Sequence, residues 1–272
     1  TGWLIHRFGS RSITMCSGIL VSVLLLFLAV AQTPLFLSAV LFFFGACTGA
    51  LNVSINAQAV AIESKSPVSL MSGFHCLFST GGLLGALVVS ALLELTFPLQ
   101  MCAIVISFIM LALLLSQCRY LLPPLQESSS AAAIKKHPFT IPGFNVLSLG
   151  MICFIFFMAE GSMLDWSAEY LRSSRDYEPA AAGMGYALFS IAMALGRFIG
   201  DKFVQKFGAK QILTMGSLLT AIGIQFFVNV SWNHFEMIGF ILIGLGASNI
   251  VPIAFSAAGR ICESSNRKAL VI

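Results

Sequence analysis

A seven-residue stretch occurs twice in this chain. Residues 7–13 read RFGSRSI and residues 206–212 read KFGAKQI, an offset of 199 positions. Both copies place a basic residue, phenylalanine, glycine, a small residue and a second basic residue directly before a long apolar run. Gly45 and Gly244 are separated by the same 199 positions. A repeat of this length predicts two structurally similar halves.

The apolar runs are long enough to cross a lipid bilayer. Of the 272 residues, 58% are hydrophobic and only 10% are charged, whereas a soluble domain carries roughly 25% charged residues. A span needs about 20 mostly apolar residues, and its backbone must satisfy its own hydrogen bonds, which favours helices. We therefore predict an all-α polytopic membrane protein whose spans lie at about residues 13–31, 35–60, 71–93, 98–118, 146–168, 181–199, 212–230 and 236–258.

A polar segment, residues 119–145, separates these spans into two groups of four. It contains two adjacent prolines, a run of serines and alanines, and the pair Lys135 and Lys136, which is typical of a flexible linker. We expect residues 1–118 to form an N-terminal lobe and residues 146–272 to form a C-terminal lobe. With the repeat, this organisation predicts two pseudo-symmetric helical lobes around an axis along the membrane normal.

The basic residues predict the orientation. Of the 15 lysines and arginines, only Arg172 and Arg175 fall on one side of the predicted membrane, and all the others fall on the opposite side. Loops rich in lysine and arginine stay in the cytoplasm. The linker and both ends of this chain are therefore expected to be cytoplasmic.

Composition and motifs exclude several classes of function. The net charge of +4 comes from short loops without a basic stripe, so we expect no nucleic-acid partner. The four histidines lie in separate segments, the seven cysteines include no C-x-x-C pair, and no G-x-x-x-x-G-K-[ST] motif occurs. We expect no metal, no cofactor and no enzymatic activity.

The repeated loop resembles a signature of the major facilitator superfamily. Residues 2–11, GWLIHRFGSR, are similar to the family's G-x-L-x-D-R-x-G-R-[RK] loop between its second and third helices, and residues 196–210 resemble the same loop in the other half. The resemblance implies a transporter with twelve helices in two halves, and it makes Arg7 and Arg11 candidate gating residues. His6 stands where the family usually has an acid that helps latch the two halves on the cytoplasmic side.

On this resemblance the chain corresponds to family helices three to ten. A complete chain with the same repeat would need about 400 residues. Because the chain opens on Thr1 rather than methionine, we expect its true N-terminus to lie further upstream.

Residues 49–58, 73–82 and 159–167 resemble a narrower branch, that of the fucose–proton symporters and their uncharacterised bacterial relatives. This resemblance implies a location in a bacterial inner membrane and a sugar-like solute. The position of Asn52 resembles one that a proton-carrying glutamate occupies in fucose permease. Asn52 cannot titrate, so proton coupling in this chain must use another group.

Two carboxylates lie in the span at residues 146–168. Glu160 follows 14 mostly apolar residues, which places it about 21 Å into the membrane, and Asp165 lies about 140° further around the helix. A charge near the bilayer centre costs at least about 2.5–3.5 kcal/mol, so we predict that one of these groups couples transport to protons, with Trp166 contacting the solute. In the alternative interpretation all three lie at the hydrated outer interface.

Two asparagine-containing segments are candidate solute sites. Asn52, Asn56 and Glu63 share one stripe of a helix; the asparagines could bind a hydroxylated solute or simply join helices, and Glu63 is a candidate gating residue. Asn249 precedes Pro252, which lacks an N–H and frees a carbonyl one turn earlier. Because broken helices at membrane depth line a cavity or a hinge, we predict that Asn249 binds solute and that Pro252 serves gating.

Three further polar residues are gating candidates. His75 shares a helix face with Ser79 and could be a pH-sensitive gate, a partner of Glu63, or a polar packing residue. Arg197 and Asp201 lie one turn apart at the cytoplasmic end of the span at residues 181–199. We expect them to hold one conformation through charge pairs that are released on switching.

Together these features predict a monomeric secondary active transporter that works by alternating access in the lipid bilayer. The favoured solute is a small, polar, sugar-like organic molecule, with protons as the candidate partner for symport. Two alternatives stay open: a multidrug-type exporter, and a non-transporting membrane sensor of transporter ancestry.

Overall fold

The computed structural model describes residues 1–123, 143–178, 182–230 and 235–270, with the side chains of His6 and of residues 262–270 excepted. Within these residues every α or β element is a helix, which confirms the predicted all-α class. The helices are α1 Gly2–Phe8, α2 Ser10–Ala29, α3 Pro34–Glu63, α4 Met71–Glu94, α5 Leu99–Gln117, α6 Phe144–Arg175, α7 Met184–Phe207, α8 Ala209–Asn229, α9 Glu236–Ala247 and α10 Ile250–Leu270. A short 3₁₀ turn, Cys118–Tyr120, follows α5.

Seven of the described helical segments are long and apolar enough to cross a membrane, with α9 and the first part of α10 counted together. The predicted multi-pass character is therefore confirmed. The remaining predicted span, residues 181–199, corresponds to α7, which carries Arg197 and Asp201 and continues to Phe207. The predicted span ends at residue 199, two residues after Arg197, whereas the helix continues to Phe207.

The repeated stretch forms the same turn in both copies. Gly9 has φ 79° and ψ 152°, and Gly208 has φ 86° and ψ 148°, a region of backbone space that only glycine occupies readily. The N–H of Gly9 donates to the Ile5 carbonyl at 2.8 Å, and the N–H of Gly208 donates to the Val204 carbonyl at 2.9 Å. Each turn joins two consecutive helices, so the sequence repeat is also a structural repeat.

The described residues group into two compact units. Unit 1 takes those of residues 1–62, 84–140 and 263–272, and unit 2 takes those of residues 63–83 and 141–262. Most of the predicted linker, residues 124–142, lies outside the described residues, so the division into lobes at residues 119–145 stays a prediction.

Polar side chains join the helices of unit 1. Gln58 on α3 donates to the Ser10 hydroxyl at 2.6 Å and accepts the Leu122 N–H at 2.8 Å. One turn away from Ser10, the Thr14 hydroxyl donates to the Ser54 hydroxyl at 2.9 Å. Small hydroxyls and amides hold membrane helices together because lipid offers them no competing partners.

Helices α8 and α9 of unit 2 pack through paired glycines. A Cβ added to Gly223 would lie 2.7 Å from the Ile243 nitrogen and 2.9 Å from the Gly239 oxygen, and one added to Gly216 would lie 2.5 Å from the Gly246 oxygen. Such distances leave no room for a side chain, because the obstructing atoms belong to the backbone. The segment Glu236–Ile261, which begins at α9, is the most enclosed span, with 67% of its apolar window buried.

We expect Gly223→Ala to destabilise the full-length protein by about 2–3 kcal/mol, since the added methyl meets backbone that cannot rotate away. Gly150→Ala on α6 is the matched control, because a Cβ there has nothing within 4 Å. The measurement is thermal unfolding of the purified protein in one detergent. Equal stability of the two variants would show that α8 and α9 do not pack as closely as described.

Candidate functional site

A buried arginine is the centre of the candidate site in unit 2. Arg197 lies on α7, ten residues before the end at Phe207, or about 15 Å along the helix axis. The residue is only 2% exposed. A guanidinium stays charged in proteins, and a charge at this depth needs polar partners.

Three other segments of unit 2 supply those partners. The Nη2 of Arg197 donates to Glu160 on α6, at 3.1 Å to Oε2 and 3.4 Å to Oε1. Its Nη1 makes a short hydrogen bond to the Ser79 hydroxyl on α4. Its Nε donates to the Ser248 carbonyl at 3.3 Å. Arg197 and Glu160 form an ion pair in which the Glu160 side chain is 25% exposed and the Arg197 side chain 2%.

The Ser248 carbonyl is available because the helix breaks there. Helix α9 ends at Ala247 and α10 begins at Ile250. Pro252 has no N–H to donate to the carbonyl four residues earlier, which belongs to Ser248. The freed carbonyl predicted from the sequence therefore exists, and Arg197 is its donor.

Asn249 fastens this break to α7. Its Nδ2 donates to the Gly196 carbonyl at 3.0 Å and to the Ser248 hydroxyl at 2.9 Å. A Cβ at Gly200 would lie 1.7 Å from the Asn249 Oδ1, so glycine at that position lets the two helices approach. Asn249 is 9% exposed, and its Oδ1 has no hydrogen-bond partner among the described residues. These contacts favour a role in joining helices over direct solute binding.

Two carboxylates cap the N-terminus of α4. Glu63 Oε2 accepts the N–H groups of Leu70 and Met71, both at 2.8 Å. Asp201 accepts the N–H groups of Ser72 at 3.1 Å and Gly73 at 2.9 Å. The first N–H groups of a helix lack partners within it and carry a partial positive charge, which negative groups stabilise. Arg197 and Asp201 lie one turn apart on α7, but Arg197 binds Glu160 whereas Asp201 binds the start of α4.

His75 lies in the same part of unit 2. It is 7% exposed, on α4 one turn before Ser79, and its ring stacks on Phe255 with centroids 6.3 Å apart. Pro252 is buried on α10. The gating candidates His75, Arg197, Asp201 and Pro252 therefore all belong to one compact unit with Glu160.

The remaining predicted solute and coupling residues make none of the hydrogen bonds to Arg197. Asn52 and Asn56 belong to unit 1, where the Asn56 amide donates to the Asn52 side chain at 3.0 Å. Asp165 is exposed, and Trp166 is 67% exposed. Trp166 follows Glu160 by six positions, which is about 240° around α6, so the two do not share a face.

The loop arginines are peripheral in unit 1. Arg7 is exposed and packs over the Trp3 ring at 5.3 Å, and Arg11 is partly exposed. Their predicted gating role stays a prediction.

The sequence analysis did not assign Ser79 or Ser248 to the site. It also missed a polar cluster at the C-terminal end of α6. There the Tyr177 hydroxyl donates to Glu236 at 2.5 Å, and Arg175 donates to the Val228 carbonyl at 2.6 Å. The one available signal was a glutamate opening an otherwise apolar span, and Glu236 is only 3% exposed.

Comparison with known proteins identifies the same family over most of the chain. The family model described as Major Facilitator Superfamily matches residues 1–267. An uncharacterised MFS-type transporter of Yersinia pestis is 42% identical over 95% of this chain and 66% of its own length. An uncharacterised transporter of Sinorhizobium fredii is 28% identical over 95% of this chain and 68% of its length. Membrane protein MosC of Rhizobium meliloti is 27% identical over 94% of this chain and 62% of its length.

The chain thus spans about two thirds of the length of these relatives, as the 66%, 68% and 62% coverages give. Among solved structures, the human organic anion transporter MFSD10 matches with a TM-score of 0.69 and 16% identity. That match covers 98% of this chain and 70% of the other. At this identity the likeness concerns the fold alone.

We expect Asp201→Asn to expose the start of α4, because an amide keeps only one acceptor oxygen and no charge. The loss of a helix cap costs about 0.5–2 kcal/mol. The lost cap makes local opening of the helix start easier. Hydrogen exchange of the Ser72 and Gly73 amides in the full-length protein should therefore become several-fold faster. Lys202→Gln, one residue further along α7, is the control. We expect the control to leave exchange at these amides unchanged. If Asp201→Asn also left it unchanged, Asp201 would not cap α4.

Proposed function

This chain belongs to the Major Facilitator Superfamily, and we propose that it acts as a secondary active transporter that exposes one solute site alternately to the two sides of the membrane. The solute is a small polar organic molecule of the sugar-like class, carried together with protons. We place the protein in a bacterial inner membrane as a monomer, with both ends of the described chain in the cytoplasm. The observation that supports coupling is the ion pair between Glu160 and Arg197.

Glu160 is the proposed proton carrier. Of the two partners it is the more exposed, at 25% against 2%, so protons reach the carboxylate before they reach the guanidinium. Arginine does not deprotonate in proteins, so only Glu160 can change the charge of the pair. Protonation of Glu160 removes its attraction to Arg197. If Glu160 has different partners in two conformations of the protein, its protonation shifts the populations of those conformations.

Asp165 is the second coupling candidate. It is exposed and, among the described residues, makes no salt bridge. A carboxylate without a fixed partner has less influence on the conformation, because its protonation breaks no contact. These features favour Glu160 over Asp165.

Solute contacts are proposed for Asn52, Asn56 and Trp166, whereas Asn249, the fourth predicted solute residue, is assigned to joining the helix break to α7. Asn56 supports the idea least directly, since its amide already binds Asn52. The exposed ring of Trp166 is free to stack on a sugar face. A multidrug exporter and a non-transporting sensor are the alternatives. Binding assays with a panel of sugars and lipophilic cations separate the exporter from the sugar transporter, because binding of cations alone would contradict a sugar-like solute.

Gating is proposed for the caps of α4. Glu63 and Asp201 hold four consecutive N–H groups of one helix start. Release of Asp201 would free that end of the helix during switching, with His75, Pro252, Arg7 and Arg11 as further gating candidates. Exchange of the Ser72 and Gly73 amides should then rise during turnover; unchanged exchange would contradict this role.

The transport test uses the full-length protein in proteoliposomes with and without a pH gradient. We expect Glu160→Gln to abolish solute accumulation driven by the gradient, while Asp165→Asn retains most of it. Glu160→Gln should still catalyse exchange of solute across the membrane, because exchange needs no net proton movement.

Glu169→Gln, which removes an exposed pair with Arg172 on the same helix, is the matched control. Full pH-driven accumulation by Glu160→Gln would remove Glu160 from the coupling role. Loss in Asp165→Asn alone would move that role to Asp165.

A further inference from the structure

The hydrogen-bond geometry of Arg197 leaves room for a better acceptor than Glu160. A guanidinium has five N–H donors in a planar fork that suits a carboxylate with two parallel bonds. Glu160 instead places both oxygens on one nitrogen, Nη2, at 3.1 and 3.4 Å. Both distances exceed the range of about 2.7–2.9 Å expected for a strong charge-assisted bond.

The other donors are held in place by fixed groups. Nε binds the Ser248 carbonyl, which exists because of Pro252, and Nη1 binds the Ser79 hydroxyl. Arg197 is therefore anchored on two sides by uncharged groups, while its one charged partner among the described residues is the partly exposed Glu160. A solute carboxylate that took the position of the Glu160 carboxylate would meet the Nη2 donor of Arg197.

Protonation of Glu160 creates a demand for an anion. A buried charge that loses its partner is strongly destabilising, and a carboxylate that takes the vacated position recovers much of this cost. A neutral sugar cannot, because it brings no charge to Arg197. The proton and the anion would therefore each favour binding of the other.

We propose that Arg197 binds the carboxylate of the transported solute, so that the solute is a small hydroxylated monocarboxylate of the sugar-acid class. This proposal rests on the proposed function and deepens it. One proton and one monoanion move together, so the symport is electroneutral: a pH gradient drives it and the membrane potential does not.

The titratable neighbours of Arg197 are few among the described residues. Glu160 faces it from α6, and His75 lies one turn from Ser79 on α4. Asp201, on the same helix as Arg197, is engaged with the start of α4. At the break between α9 and α10, Ser248 and Asn249 bring no titratable group. Of these groups, Glu160 is the one whose carboxylate accepts from Arg197, so its protonation would free Nη2 for a solute carboxylate.

The test measures binding of D-gluconate and D-glucuronate to the full-length protein in detergent, with D-glucose and D-fucose as neutral probes. Glu160→Gln mimics the protonated carboxyl, and we expect it to bind a carboxylate probe at least about tenfold tighter than the unmodified protein at neutral pH, which is about 1.4 kcal/mol. Its affinity should no longer depend on pH. Neutral probes should gain nothing from this substitution.

Arg197→Met should lose carboxylate binding, and Arg197→Lys, which keeps the charge without the fork, should weaken it less. Arg172→Gln, an exposed arginine on α6, is the control. If Arg197→Met does not fold, Arg197→Lys with Ser79→Ala supplies the comparison, since Ser79 holds Nη1. Three results would each overturn the proposal. The first is no increase in carboxylate affinity in Glu160→Gln, and the second is undiminished carboxylate binding in the Arg197 variants. The third is that no variant binds either carboxylate probe.

The same preparation in proteoliposomes separates this proposal from the proposed function. Uptake of D-glucose or D-fucose driven by a pH gradient and lost in Glu160→Gln, without any uptake of the carboxylates, keeps the function and removes the sugar-acid assignment. Absence of gradient-driven uptake for every probe contradicts both.

Discussion

A guanidinium that is only 2% exposed has to be neutralised by its surroundings, and the organisation of unit 2 follows from how this is done for Arg197. The charge cannot be removed by deprotonation, and lipid offers no solvation. Helix α6 contributes a carboxylate, α4 a hydroxyl, and the break between α9 and α10 a carbonyl. Each contribution fixes one neighbouring segment against α7. The same contacts that neutralise the charge therefore also position the helices.

Close approach of the backbones makes this arrangement possible. Gly196 and Gly200 are one turn apart on α7 and leave space for Ser248 and Asn249. The Asn249 amide then binds the Gly196 carbonyl, so the broken segment lies directly beside the arginine. Pro252 completes the arrangement by keeping the Ser248 carbonyl out of the helical ladder. Glycine, asparagine and proline thus serve one geometric purpose, the delivery of a carbonyl to a buried charge.

Much of this fold could be predicted from the sequence, because long apolar runs and a repeated glycine turn are local signals. Gly9 and Gly208 adopt nearly the same φ and ψ, as two copies of one motif should. The site was less accessible. Glu160 is a predicted coupling residue and Arg197 a predicted gating residue, but their pairing depends on which helices are neighbours. Arg197 was placed at a helix end because apolarity falls at residue 197, whereas α7 continues for ten more residues. The Ser79 hydroxyl could equally bind its own helix backbone, as serine hydroxyls commonly do, so the sequence does not assign it to an arginine. The carbonyl that Pro252 frees is a local signal, but its donor, Arg197, lies on another helix.

The most direct measurement is the coupling energy between Glu160 and Arg197, from thermal unfolding of the full-length protein with Glu160→Gln, Arg197→Met and both substitutions together. If Arg197 depends on Glu160 for its charge balance, the double variant will be less destabilised than the sum of the single variants by at least about 2 kcal/mol. The exposed pair Arg172 and Glu169 should give no more than about 0.5 kcal/mol in the same cycle. Additivity within about 0.5 kcal/mol at Glu160 and Arg197 would contradict the central role of this ion pair.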